Sequence, residues 1–168
     1  MIARKIVPQE RKRMLEDYVV TGHWETQTVV DSAATSSARE SCRNGWQATI
    51  DNLNTELKNC NTQIMKLNSL NTEIEEKMGT ISELEGQFNS VQGVVSNANI
   101  DFNIIEGNVA CMQRINGELT KMKSNCANQL KEWEQKKTDT KNALRDARLQ
   151  KAECANIVKY KTISVYVA

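Results

Sequence analysis

The sequence predicts a mainly α fold: a long antiparallel coiled-coil helical hairpin with a small β base built from N- and C-terminal strands. Three observations predict it. From Trp46 to Ile81, apolar residues recur at alternating steps of four and three, the seam of a coiled coil. A second periodic stretch, Met112 to Val158, follows an Asn-rich break. Both flanks, Trp24–Val30 and Ile163–Val167, carry β-branched and aromatic residues in the pattern of strands.

Composition agrees with long helices. The 168 residues contain one Pro, 26% charged residues and 5% aromatics. Lys and Arg number 22 against 21 Asp and Glu, a formal charge of +1, so no broad field selects nucleic acid or an anionic membrane. No apolar run approaches the roughly 20 residues of a membrane span. Arg4, Lys5, Arg11, Lys12 and Arg13 interrupt the amino terminus, which does not read as a secretory signal. The chain therefore reads as soluble, made in the cytosol and compatible with a place in an assembled particle.

Residues 1–35 form an N-terminal arm. Pro8 suits the first turn of a short helix reaching Tyr18, with Arg11-Lys12-Arg13 as a solvated face diluted by Glu10, Glu16 and Asp17. From Tyr18 the chain reads as extended, with a hairpin turning at Gly22. His23 reads as a surface histidine without a catalytic partner.

Residues 36–158 form the coiled-coil hairpin. Ser37-Ala38-Arg39-Glu40 fits a capping box at the start of the first helix, and Asn44-Gly45 leaves a break there open. Ile50, Leu57, Ile64 and Met78 take one seam row; Trp46, Leu53, Cys60, Leu67, Ile74 and Ile81 take the other. Asn71 alone interrupts the first row and is a candidate for setting register. Past Ile81 the apolar frame slips to Leu84, Phe88, Val91 and Val95. Gly79, Gly86 and Gly93 there imply either close approach of another helix or a loosening end, and loosening is the favoured reading.

The turn is placed near 97–107, with the second helix starting near Asn103 or Asn108. Its seam reads Met112, Ile115, Leu119, Met122, Cys126, Leu130, Trp133, Leu144, Ala147, Cys154 and Val158, with a stutter at Cys126. Folding back about Phe102 sets Trp46 against Val158, Ile50 against Cys154, Cys60 against Leu144 and Met78 against Cys126. Leu53, Ile64, Leu67 and Asn71 then meet Lys151, Thr140, Lys137 and Trp133. That register sets no cysteine opposite another, which argues against an intrachain disulfide and leaves links between chains open. The five cysteines read as buried small hydrophobes.

Residues 159–168 form a C-terminal strand. Ile163, Val165 and Val167 point one way and Thr162, Ser164 and Tyr166 the other. A hairpin returns this strand to Trp24–Val30, and the two are expected to share a sheet at the base.

No phosphate loop, nucleophile motif or cysteine–histidine cluster with metal-ligand spacing occurs, so catalytic residues, cofactor and metal are assigned to none. The function expected is a non-enzymatic assembly subunit, a coiled-coil hairpin projecting from a base that docks into a larger symmetric assembly such as a virus or phage particle, a filament or a scaffold. Its partners are proteins, by self-association or docking, rather than small molecules or specific nucleic acid. The interface candidates are Trp24, Thr26, Thr28, Val30, Asn71, Ile163, Val165 and Val167. The alternative is a helix-binding module or holdase that uses an exposed seam around Ile64–Asn71 and Lys137.

Overall fold

The computed structural model describes residues 22–95 and 102–168, with side-chain surroundings for 22–91 and 106–168. The short helix at Pro8, the Arg11–Arg13 cluster, Tyr18–Val20 and the start of the turn lie outside the described residues. Four long elements follow in order: β1 (His23–Val30), α1 (Ser32–Val95), α2 (Phe102–Glu153) and β2 (Tyr160–Val167), with a 3-10 turn at Cys154–Asn156. Two long helices packed against each other and a two-stranded antiparallel sheet from the chain ends make up the fold, as the periodicity predicts. By contacts the chain divides into Met1–Gly45 with Lys151–Ala168, here the terminal unit, and Trp46–Gln150, the helical unit.

Several boundaries move. The start of α1 is Ser32, not Ser36 or Ser37, because Asp31 caps it. The Asp31 Oδ1 accepts the Ala34 N–H at 3.0 Å, and the Asp31 carbonyl accepts the Thr35 N–H at 2.8 Å. Ser37 and Glu40 already lie within the helix. Asn44-Gly45 produces no break: α1 runs 64 residues without interruption. Nor does Gly107 delay α2, which begins at Phe102, so the connection spans at most residues 96–101 and the expected turn over 97–107 was too long. At its far end α2 stops at Glu153, which leaves Val158 outside the helix and its seam.

In the helical unit, the buried core of α1 is Ile50, Cys60, Ile64, Leu67 and Ile74. Half-buried Ile81, Glu85 and Phe88 continue the same spacing, so the frame does not slip. The apolar Leu84 and Val91 that suggested a slip are exposed, and the position between Ile81 and Phe88 belongs to Glu85, whose Oε1 is buried without a hydrogen-bond partner. The helix α2 shows the same pattern. Its covered residues are Val109, Met112, Asn116, Leu119, Lys123, Cys126, Leu130, Trp133, Lys137, Thr140, Leu144, Ala147 and Lys151, in strict alternation of three and four. Ile115 and Met122, which created the apparent stutter, are exposed. Along α2 the supercoil frame is uninterrupted. The consecutive four-residue steps fall in α1 instead, at Cys42, Trp46 and Ile50.

Register is the larger correction. Ile50 clusters with Leu144 and Ala147, bordered by Trp46, Leu53 and Leu57. The Cys126 thiol donates to the Leu67 carbonyl at 3.2 Å, and Lys123 pairs with Glu75 at 3.0 Å. In the terminal unit Cys154 is bonded to Cys42, with Cα atoms 5.8 Å apart, and not opposed to Ile50 eight residues further on. The expected absence of an intrachain disulfide is overturned with the register that implied it. The observed pairs are centred a few residues before Phe102, which accounts for the displacement. Cys60 and Cys126 remain buried thiols, as expected, whereas Cys111 is exposed.

Gly79 and Gly86 are not used for close helix approach, and Gly93 lies outside the residues whose side-chain surroundings are described. A Cβ built on Gly79 or Gly86 meets nothing within 4 Å.

Candidate interface at the terminal sheet

Asp31 separates β1 from α1, and residues 157–159 separate the 3-10 turn from β2. Both joints are fixed by hydrogen bonds within the terminal unit. The Asp31 N–H donates to the Lys159 carbonyl at 2.8 Å. Buried Thr35 uses its hydroxyl twice, donating to the Lys159 carbonyl at 3.3 Å and accepting from the Lys159 N–H at 2.9 Å. Arg39 donates its Nε–H to the Ile157 carbonyl at 2.8 Å, satisfying an acceptor just past the end of the second helix. Together with the Cys42–Cys154 bond, these contacts hold the ends of the two strands side by side.

The sheet is antiparallel with an unbroken register from His23 opposite Val167 to Val30 opposite Tyr160. Residues directly opposite in such a pair share a face. One face therefore carries Trp24, Thr26, Thr28 and Val30 with Tyr166, Ser164, Thr162 and Tyr160. The other carries His23, Glu25, Gln27 and Val29 with Val167, Val165, Ile163 and Lys161. The expected interface set is thus divided. Trp24, Thr26, Thr28 and Val30 lie together on the first face, while Ile163, Val165 and Val167 lie on the opposite one. Alternation within each strand was legible, but which face of one strand joins which face of the other depends on register, and a one-residue slip exchanges them.

The two faces differ in chemistry. Val29, Ile163, Val165 and Val167 are half-buried. The first face is open: Trp24 is 70% exposed, Tyr160 65% and Tyr166 40%. Trp24 and Tyr166 meet edge to face, ring centroids 5.4 Å apart. Tyr160 and Tyr166 are the part of this face that the expected set omitted. Counting their alternation in phase with Trp24, not with Ile163, would have found them. Gly22 explains how the chain enters here. A Cβ at that position would lie 2.5 Å from the Tyr166 ring and from the Val167 carbonyl, so the backbone passes where only glycine fits.

His23 is an exposed surface histidine, as expected, and its Nε2 lies 2.6 Å from the Glu25 Oε1 on the same sheet face. Asn71 is far from the sheet in sequence and is half-buried on α1 between buried Leu67 and Ile74. The seam proposed to accept a client helix is itself covered, since Ile64 and Leu67 are buried. Among the described residues no three His, Cys, Asp or Glu side chains gather as a metal site, and no helix is long and apolar enough to cross a membrane. Compared with known proteins, the chain matches no family model, no curated protein and no solved structure.

Proposed function

We propose that this chain is a non-enzymatic structural subunit that docks into a larger symmetric assembly, such as a virus or phage particle, a filament or a scaffold, through the aromatic face of its terminal sheet. The observation that carries this reading is the row Trp24, Tyr166 and Tyr160 held open on one face of a two-stranded sheet. Large aromatics are the side chains that most often anchor protein interfaces, and a sheet of two strands is marginal until something completes it. Copies of this chain are the partner favoured, because among the described residues neither outer strand edge pairs with a third strand. The Cys42–Cys154 bond adds support for a role in oxidising surroundings, where disulfides persist.

Sedimentation velocity over about a 100-fold range of protein concentration tests the proposal. The native chain is expected to form a discrete oligomer, and Trp24→Glu, at an exposed position, to dissociate it without loss of helix. A native chain that stays monomeric throughout sinks the reading.

A helix-binding role keeps one supporting observation. Exposed Met65 and Leu70 border an open groove of about 590 Å³ on α1, edged by Lys66 and Glu73. Under that reading the protein is monomeric and an added amphipathic peptide gains helix on mixing.

A further inference from the structure

We propose that the terminal unit holds an oxyanion site for a small ligand whose phosphate or carboxylate group is carried on an apolar body. A cavity of about 510 Å³ opens beside the first turns of α1, within the size range of small-molecule pockets. Arg39 and Arg43 line it with Ser32 and Ser36, and Val30 and Val158 form its apolar walls. The four polar residues are spaced by four, three and four, so they form one stripe along the helix.

The donor inventory selects the ligand. A guanidinium has five N–H donors and no acceptor. Arg39 commits its Nε–H to the Ile157 carbonyl, which fixes the plane of the fork and leaves both terminal NH2 groups unspent among the described residues. Arg43 makes no hydrogen bond or ion pair among the described residues. Thr35 also lines the cavity, but its hydroxyl is consumed by Lys159. Ser32 and Ser36 have no such commitment among the described residues. Asp31 and Glu40 are the nearest carboxylates in sequence; the Asp31 Oδ1 is held by the Ala34 N–H, and neither residue lines the cavity. Among the described residues no acidic side chain lines the cavity. Two guanidinium groups with no carboxylate partner among the described residues and two hydroxyls lining one space, with valines at its sides, fit a planar or tetrahedral oxyanion bearing a hydrocarbon group. Val30 is shared with the aromatic face of the sheet, whereas the four donor side chains lie on α1.

Isothermal titration of the full oxidised chain with phenyl phosphate, benzoate and inorganic phosphate tests the assignment. Binding of phenyl phosphate or benzoate, tighter than that of inorganic phosphate, is expected; the preferred one of the two identifies the ligand as a phosphate ester or a carboxylate. Arg43→Gln is expected to weaken it about tenfold or more, since a charge-assisted pair is lost. Lys66→Gln, which removes an exposed cation elsewhere on α1, should leave binding unchanged, and circular dichroism of both variants should match the native chain. Absence of binding by all three probes overturns the proposal, as does equal weakening by Arg43→Gln and Lys66→Gln.

Discussion

Around Thr35 and Lys159 the chain is joined by bonds that specify their partners, whereas around Ile50 and Ala147 it is joined by packing that does not. In the terminal unit a disulfide, a doubly used threonine hydroxyl and an arginine on a terminal carbonyl each fit one geometry. In the helical unit the contacts are apolar layers repeating every seven residues, and a slip of one heptad returns similar layers to similar places. Burial supplies stability without much choice of register; directional and covalent links supply the choice. A few polar contacts supplement the layers of the helical unit, including Lys123 with Glu75 and the Cys126 thiol on the Leu67 carbonyl.

Breaking the covalent link should have the largest effect. Cys42 and Cys154 are 112 residues apart, and closing a loop of that order stabilises by about 4–5 kcal/mol in the chain-entropy picture. Replacing both with serine, or adding reductant, is expected to lower the denaturant midpoint by a corresponding amount; an unchanged midpoint would remove the bond from the account. Next comes the packing itself. Leu144→Ala empties the centre of the Ile50–Ala147 cluster and should cost about 2–5 kcal/mol, read by thermal unfolding. The smallest effect sharpens the contrast in the other direction. Gly79→Ala and Gly86→Ala add a methyl group to open space on a helix, so each should stabilise by about 0.5–1 kcal/mol in urea titration.

The architecture was legible because it rests on periodicity alone: two helical patterns, a break and two alternating ends. What failed to show was whatever depends on polar residues at inward positions. Glu85, Asn116 and Lys123 sit in seam positions. Following their apolar neighbours Leu84, Ile115 and Met122 produced a frame slip and a stutter that do not exist. The centre of the hairpin was placed at Phe102, a few residues late, and each residue of delay moves the facing partner by two. That displacement alone hid the Cys42–Cys154 pair. The same sensitivity to register divided the interface set, since Ile163, Val165 and Val167 looked like natural companions for Trp24 until the strand pairing was known. Asp31 was overlooked as a cap because Ser37 and Glu40 offered a complete capping motif a turn and a half later.

The bond between Cys42 and Cys154 also turns most of the chain into a covalent ring. A single peptide-bond cut anywhere inside that ring opens the circle without detaching either piece. Nicked molecules would keep their mass and travel as one until a reductant parts them, a form of tolerance to proteases that folding strength alone does not confer.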